Sequence, residues 1–374
     1  MKNKITDILT CVLFCAFLFC VFALFLFLPE GDYSEKEKRY LAEKPKLTWE
    51  NVSSGGFSED VETYLADHMP GRDFFVGLNA YIDLLANRQV TKDIYLAGND
   101  TLVEAPIVWD EAVAQRNMDA VNKFAEAVGR PIDFMLVPSA GCVLQDTVMG
   151  LQDPYTDERM IASIYDMAGG NLICRDLLPA FTSAEDNGKL YYRTDHHWTS
   201  LGAYTAYSTY MDMLGRQYPE QSEFTVQRHM GFLGSTYSRS GLWMIPAEPV
   251  ELWENDTAFT VTNGETGQPH DGLFYTERLQ ELDKYTVYLD GNHSLVTIQN
   301  PDAAGKGKLL VIRDSYANCL GTFLANSYES VTLVDLRYYK KPVSELLASE
   351  DFTDVLVCYS LSNFMTDTNF VWLR

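Results

Sequence analysis

The residues best suited to chemistry are six consecutive ones, Thr194–Thr199, in the order Thr-Asp-His-His-Trp-Thr. They stand directly before a segment whose apolar residues recur at helical spacing, so we expect a loop that opens into a helix. In extended backbone, residues two apart lie on the same side of the chain, which lets the carboxylate of Asp195 orient the imidazole of His197, while His196 points the other way. This is the arrangement of a catalytic base and its orienting group, and it lacks only a nucleophile.

Ser315 is the candidate nucleophile. It follows a predicted buried strand, 309–312, and precedes a predicted helix, 316–325. A serine at such a turn lies at the carboxyl edge of a parallel sheet, where open α/β folds place their sites, and its own N–H can face a developing oxyanion. We therefore assign Ser315 as nucleophile, His197 as base and Asp195 as orienting carboxylate, which requires the fold to bring the two segments together.

A metal site is the second interpretation of the same residues. Asp195, His196 and His197 would be joined by one distant histidine. The candidates for that position are His229, His270 and His293. Adjacent histidines on an extended loop point apart, and neither a His-Glu-x-x-His nor a paired Cys-x-x-Cys spacing occurs. The sequence therefore favours a site without a metal or another cofactor.

Composition narrows the choice of partners. The chain has 374 residues and a formal net charge of -23, so it repels the phosphates of nucleic acids and anionic lipid head groups. Its seven cysteines show no disulfide pattern. Three lie in an apolar N-terminal run, and the other four sit in apolar segments, where we expect them to be small core residues. These four are Cys142, Cys174, Cys319 and Cys358.

The N-terminal run predicts a membrane-spanning helix. Within residues 5–28 the only charged residue is Asp7, and about 20 apolar residues suffice to cross a bilayer. Lys2 and Lys4 precede the run, which by the positive-inside rule keeps the tip in the cytoplasm. A cleaved signal peptide is the alternative, but the run is long for one and no small-x-small cleavage site follows. We therefore expect an uncleaved single-pass anchor in residues 1–28, with the main domain outside the cell membrane.

Alternating strands and helices predict the fold of the remaining chain. Residues 29–55 are charged and contain proline, serine and glycine, so they are interpreted as a stalk. Over residues 56–374, buried apolar runs alternate with amphipathic segments, which is typical of an α/β domain with a mainly parallel sheet. Residues from about 217 to 300 are rich in Gly, Thr, Trp and Tyr, with short alternating runs such as Tyr285–Leu289. They are interpreted as a β-rich insertion.

The segment Thr194–Tyr204 resembles the signature of the DHHW protein family, a branch of the SGNH hydrolase-like proteins related to the periplasmic alginate O-acetylation proteins. Other segments resemble family landmarks and extend the likeness over most of the ectodomain. They are Glu37–Pro45, Asp67–Asp73, Tyr288–Asn292 and Arg313–Tyr316. The resemblance implies a circularly permuted SGNH-like core, with Asp195, His197 and Ser315 as the triad of an acetyl-transfer or deacetylation site.

The resemblance also bears on the oxyanion hole and the pocket. Arg313 stands where the usual Gly-Asp-Ser motif has glycine, and no segment plainly matches the family's oxyanion asparagine. Asn292 and Asn363 are candidates for it, while Arg337 and Tyr359 follow strands at the same sheet edge; purely structural roles stay open for these four. The full set of oxyanion or substrate-binding candidates is Asp314, Tyr316, Asn292, Arg337, Tyr359, Asn363, His196 and Trp198.

These observations together predict a membrane-anchored, extracytoplasmic Ser-His-Asp O-acetyltransferase or esterase that acts on a cell-surface polysaccharide. By analogy with the family, its partner would be a multi-spanning membrane acyltransferase that exports the acetyl group. The alternative is a non-catalytic SGNH-like scaffold that binds a glycan or a partner protein. Arg313 in place of glycine keeps that alternative open, as do 22 tyrosines and six tryptophans, whose side chains suit stacking on sugars.

Overall fold

The computed structural model describes residues 2–28, 31–34, 39–88, 93–150, 153–184, 186 and 189–374. Pro29, Glu30 and positions 35–38 of the predicted stalk, with part of the landmark at Glu37–Pro45, lie outside the described residues. The helices, in chain order, are α1 (Lys2–Phe27), α2 (Trp49–Ser54), α3 (Gly56–Asp67), α4 (Arg72–Leu85), α5 (Glu111–Val128), α6 (Ala140–Val143), α7 (Asp157–Asp166), α8 (Leu178–Thr182), α9 (Ser200–Leu214), α10 (Ser235–Ser240), α11 (Tyr316–Leu324), α12 (Val343–Ser349) and α13 (Leu361–Phe364).

The strands, in the same order, are β1 (Tyr33–Ser34), β2 (Arg39–Tyr40), β3 (Ile94–Ala97), β4 (Thr101–Glu104), β5 (Ile132–Val137), β6 (Leu172–Asp176), β7 (Thr225–Phe232), β8 (Glu248–Glu254), β9 (Thr260–Asn263), β10 (Pro269–Asp271), β11 (Leu295–Gln299), β12 (Lys308–Arg313), β13 (Ser330–Asp335) and β14 (Asp354–Ser360). In the described chain, eight of them form one sheet in the order β10-β9-β11-β13-β12-β14-β5-β6. The run from β13 to β6 is parallel, whereas β9, β10 and β11 pair antiparallel at the other end.

The central strands are apolar throughout because both faces of the sheet are covered. In β12, Leu309 and Val311 belong to a core with residues of α9 and α11, while Leu310 and Ile312 belong to a second core with residues of α5 and α7. This alternation follows from the two-residue repeat of a strand. The molecule is therefore layered as helices, sheet and helices, and strands β12 and β14 lie in its interior.

The structure confirms the predicted mixed α/β fold with a central, mainly parallel sheet. It corrects the interpretation of Tyr285–Leu289 as an alternating strand-like run, because Lys284–Val287 is a 3-10 helix and both Leu289 and Asp290 have positive φ. Tyr285 of that helix and Tyr288, which follows it, are instead buried in the core. A circularly permuted SGNH-like topology, the domain limits at residues 28 and 55, and an insertion at about 217–300 stay predictions.

Helix α1 is the described segment that could enter a membrane. Lys4–Phe27 is long and apolar enough to cross a bilayer. This is compatible with a single-pass anchor or with a signal sequence, so the orientation and the retention of the anchor stay predictions. Near the end of α1, the ring of Phe25 packs edge-on against Tyr64 of α3 at a centroid distance of 6.1 Å.

Candidate active site

The structure brings Asp195, His197 and Ser315 into one hydrogen-bonded relay. His197 Nδ1 donates to Asp195 Oδ1 at 2.6 Å, and Ser315 Oγ lies 2.7 Å from His197 Nε2, in position to donate its proton. All three side chains are buried. We call residues 193–199 the histidine loop and residues 313–318 the serine turn. The loop precedes α9 and the turn joins β12 to α11, so 118 residues separate the base from the hydroxyl that it binds.

The pairing of Asp195 with His197 arises from a bend rather than from extended backbone. Asp195 Oδ1 accepts from the His197 backbone N–H at 3.0 Å as well as from its ring. A carboxylate that binds the N–H two residues on closes an Asx turn, and residues 193–197 are bent. The predicted pair is therefore present, but the alternation of an extended chain is not what forms it.

The same bend overturns the prediction that His196 points away from His197. The two imidazole rings lie 3.9 Å apart between centroids with an interplanar angle of 37°, and His196 Nδ1 lies 2.6 Å from Ser235 Oγ. Burial, together with the adjacent His197, lowers the pKa of His196. A neutral His196 does not repel a positive charge on the adjacent His197.

The argument against a shared cation, that the two histidines point apart, is wrong for the same reason. Ligand atoms of Asp195, His196 and His197 lie within 4.8 Å of one another. A cation held by all three would occupy the nitrogen that His197 offers to Ser315 or to Asp195. Metal binding and the relay therefore exclude each other in this cluster. The hydrogen bonds of the structure are those of the relay.

Buried polar contacts fix the histidine loop. Glu248 accepts from the backbone N–H groups of Arg193 at 3.0 Å and Thr194 at 2.7 Å, and from the Thr194 hydroxyl at 2.6 Å. Burial raises the pKa of Glu248. At the other end of the loop, the Thr199 hydroxyl accepts from Gly202 N–H at 3.2 Å and caps α9. Both ends of the loop are thus held by side chain-to-backbone bonds.

The start of α10 approaches the second oxygen of Asp195. Ser235 N–H donates to Asp195 Oδ2 at 2.7 Å, and a Cβ at Gly234 would lie only 2.2 Å from Asp195 Cβ. Burial by itself would raise the pKa of Asp195, but the neighbouring imidazoles and these hydrogen bonds bring it well below its usual range. Asp195 is therefore a carboxylate whose charge faces the imidazoles.

In the serine turn, the carboxylate of Asp314 is fully occupied by hydrogen-bond donors. Its Oδ1 accepts from Tyr316 N–H at 3.0 Å. Its Oδ2 accepts from the backbone and the hydroxyl of Ser360, at 2.8 and 2.7 Å, and from Asn363 Nδ2 at 2.8 Å. Asp314 therefore has no oxygen free for a substrate, and Asn363 helps to hold it in the turn. The Ser315 N–H, by contrast, makes no hydrogen bond to the described residues.

The remaining predicted residues divide between the site and the core. Asn292 is exposed, and its Oδ1 accepts from Arg313 Nη1 and Asn318 Nδ2, both at 3.0 Å. Tyr359 lies in the core against Phe370, and it does not face the relay. Arg337 is committed to an ion pair with Asp335 at 2.6 Å. Neither Tyr359 nor Arg337 contacts Ser315 or His197.

Two predicted aromatic residues join the histidine loop to the serine turn. Trp198 is fully buried, and its Nε1–H donates to the carbonyl oxygen of Tyr316 at 3.0 Å. The Tyr316 hydroxyl in return donates to the carbonyl oxygen of His196. These side chains fix the distance between base and nucleophile and act as structural supports.

Four residues that matter to the site escaped sequence reasoning: Gly234, Ser235, Glu248 and Tyr285. The Tyr285 ring stacks on the His197 imidazole at 3.8 Å and 8°. All four lie in the stretch from about 217 to 300, where the local patterns gave no indication of a contact with the histidine loop. A Gly-Ser pair just before a short helix is the only sequence signal that could have suggested a close approach of backbone to a carboxylate.

Comparison with known proteins supports the fold. No curated protein matches the chain in sequence. A crystal structure of a DHHW family protein from Eubacterium siraeum matches with a TM-score of 0.63 and 22% identity, covering 75% of this chain and 96% of that one. Bacillus cereus PatB1 matches with a TM-score of 0.63 and 21% identity, covering 75% and 99%. The DHHW protein model matches residues 107–334, and the chain therefore belongs to the DHHW protein family.

Proposed function

We propose that the protein is a Ser-His-Asp acyltransferase or esterase that handles small acyl esters of a cell-surface polysaccharide. The observation that carries this proposal is the buried relay from Asp195 through His197 to Ser315, with heavy-atom distances of 2.6 and 2.7 Å. A serine hydroxyl is a weak nucleophile until a base removes its proton, and this geometry provides that base. The carboxylate fixes the tautomer in which Nε2 accepts.

The reaction follows from that arrangement in two stages. His197 Nε2 takes the Ser315 proton while Oγ forms a bond to the acyl carbon of the donor ester, and the imidazolium then protonates the leaving alcohol as its bond to that carbon breaks. In the second stage, a sugar hydroxyl or water loses its proton to His197 and attacks the acyl-enzyme. The Ser315 oxygen leaves and recovers the proton. Asp195 stabilises the imidazolium in both stages.

Two groups near Ser315 are suited to bind the oxyanion. The first is its own N–H, and the second is the exposed Asn292, whose oxygen is already bound and whose Nδ2 makes no hydrogen bond to the described residues. Donors fixed before the reaction stabilise developing charge without reorganisation. Asn363 is less suited to this role because its Nδ2 already donates to Asp314 at 2.8 Å.

A narrow cavity lies beside the histidine loop and the serine turn; neither Ser315 nor His197 lines it, and its size suits about one water molecule. It has a volume of about 20 Å³ and is lined by residues that include His196, Tyr316, Gly141 and Ser360. The resemblance to alginate O-acetylation proteins supports a polysaccharide acceptor and a multi-spanning acyltransferase as donor partner. The apolar helix α1 supports an extracytoplasmic position. Under this proposal, residues 29–55 are a stalk that carries the catalytic domain.

Labelling of the full-length protein in detergent with a fluorophosphonate tests the proposal. Because a sulfonyl adduct has been captured in PatB1, a sulfonyl fluoride is a suitable second probe. We expect wild type to be labelled and to hydrolyse 4-nitrophenyl acetate, and Ser315→Ala and His197→Ala to do neither. Ser208→Ala and His270→Ala, which change remote residues, are the matched controls and should behave like wild type.

The opposite outcome would favour a glycan-binding scaffold or a metal protein. If wild type is neither labelled nor active, the nucleophile assignment fails and a glycan-binding scaffold becomes the better account. Trace-metal analysis of the same preparation then separates that scaffold from a metal protein that uses Asp195, His196 and His197.

A further inference from the structure

Arg313 is a cation with no exposed surface, placed two residues before the proposed nucleophile. Its Nη1 donates to Asn292 Oδ1 at 3.0 Å, and it lies 3.4 Å from both the Asp314 carbonyl oxygen and Asp335 Oδ2. Its Nη2 lies 3.4 Å from the carbonyl oxygen of His293. Burying a guanidinium is costly unless it is paired and hydrogen-bonded, so these contacts must compensate a large desolvation penalty.

The contact with Asn292 decides which way that amide faces. An arginine side chain has donors only, so the atom of Asn292 that faces Arg313 must be the oxygen. Asn318 Nδ2 donates to the same oxygen at 3.0 Å. The Nδ2 group of Asn292 is consequently turned away from both partners, on a residue that is exposed. The orientation of this donor is set by Arg313 before any substrate binds.

The contact with the Asp314 carbonyl acts on the other donor. That carbonyl and the Ser315 N–H belong to one peptide unit, so a group that holds the oxygen also fixes the direction of the N–H. A cation at the oxygen polarises the peptide and strengthens its N–H as a donor. A single nitrogen atom, Nη1, thus contacts the groups that carry both oxyanion donors.

We infer that Arg313 is the positioning residue of the oxyanion hole, orienting the Asn292 amide and the Ser315 peptide toward the acyl oxygen. This inference rests on the proposed function. Asp335 Oδ2 lies 3.4 Å from Arg313 Nη1. Arg337 fixes Asp335 in turn, because its Nε and Nη2 donate to the two oxygens of Asp335 at 2.9 and 2.6 Å. Arginine in place of the usual glycine is then a functional feature of the turn, and the geometry of Ser315 does not depend on a glycine there.

A double-mutant cycle on the intact protein tests this inference, with kcat and KM for 4-nitrophenyl acetate as readouts. We expect Asn292→Ala to lower kcat about 10²- to 10³-fold with KM changed less than about threefold, as for loss of one oxyanion donor. Arg313→Met should lower kcat about 10- to 100-fold. Arg313→Lys should lower kcat less, because it keeps a cation, but it should not restore wild-type kcat, because one ammonium cannot bind all these acceptors. The fold-losses of the two single variants should not multiply: the double variant should keep far more kcat than their product would leave.

Two controls separate positioning from a loss of stability. Arg175→Met removes another largely buried arginine, paired with Asp133 at 2.6 Å and remote from the relay, and should leave kcat unchanged. Asn318→Ala removes the second donor to Asn292 and should reproduce part of the Arg313→Met effect even if that variant does not fold. Multiplicative effects in the cycle, or an Asn292→Ala variant with wild-type kcat, overturn the inference. An inactive wild type instead overturns the proposed function itself.

Discussion

The histidine loop and the serine turn each contain a buried aspartate, and the two aspartates do different work. Asp195 accepts from His197 twice and from Ser235 N–H. Asp314 accepts from Tyr316, Ser360 and Asn363, which are neutral groups that cannot change their protonation state near neutral pH. In the proposed reaction, only Asp195 faces a group that becomes charged.

Burial and the number of hydrogen bonds therefore do not identify a catalytic carboxylate. Both residues are almost fully buried and both oxygens of each are bound. The distinguishing property is whether a partner titrates or merely donates. Asp195 is then expected to act on the reaction rate, and Asp314 on the conformation of the turn that presents Ser315.

The largest effect should come from Asp195→Asn. An amide at this position presents an N–H where His197 Nδ1 needs an acceptor, so it favours the wrong tautomer, and we expect kcat to fall about 10⁴-fold. The measurement is steady-state hydrolysis of 4-nitrophenyl acetate by protein whose cooperative unfolding has been verified. A variant that keeps a tenth or more of wild-type kcat would remove the distinction between the two aspartates.

Asp314→Asn should instead act mainly on stability. The new amide group would face donors at either oxygen position, leaving a buried polar group unsatisfied, and we expect a loss of about 2–3 kcal/mol in the free energy of unfolding. Urea denaturation gives this value, and kcat per folded molecule should stay within about tenfold of wild type. A large drop in kcat without loss of stability would mean that Asp314 takes part in the chemistry.

Gly234→Ala sharpens the comparison by disturbing only the Asp195 side. The new Cβ would lie 2.3 Å from Asp195 Oδ2, whereas the backbone at this position has φ of −90°, which alanine tolerates. Displacement of the carboxylate should lower kcat about 10- to 100-fold. Gly170→Ala is the matched control, because a Cβ there meets nothing within 4 Å and should leave kcat unchanged.

The smallest effect concerns acid stability. Because the pKa of Asp195 in the folded protein lies well below its unfolded value of about 3.9, its ionised form contributes stability that is present above that value and lost as pH falls through the folded pKa. The gap in unfolding free energy between wild type and Asp195→Asn should therefore be constant above about pH 5 and shrink in acid. A gap that widens below pH 4 would contradict the sign of the shift.

The sequence carried most of the information about the sheet and the relay, for identifiable reasons. The strand 309–312 is readable because both of its faces are buried, and Ser315 is readable because a strand and a helix meet there. Asp195 and His197 are close in the chain, so their pairing requires only a local turn.

Other contacts could not be read from the sequence, because they join residues far apart in irregular segments. Tyr285 and Glu248 reach the histidine loop from distant segments, and the local pattern of a segment does not indicate such partners. Arg313 and Asn292 meet only when the fold brings the loop before β11 to the end of β12. In the sequence alone, the arginine in place of glycine therefore counts only as a reason to doubt a catalytic serine. The structure gives it a set of partners.

The position of β14 has a consequence for the timing of synthesis. This strand lies between β12 and β5 and thereby joins two parts of the sheet that are otherwise unconnected among the described strands, and its last residue, Ser360, binds Asp314. Because a chain is synthesised from its N-terminus, His197 and Ser315 are made before the strand that completes their surroundings. We expect a nascent chain that stops before residue 354 to carry every residue of the relay and yet have no competent site, so that the proposed acyl chemistry begins only once β14 has been made.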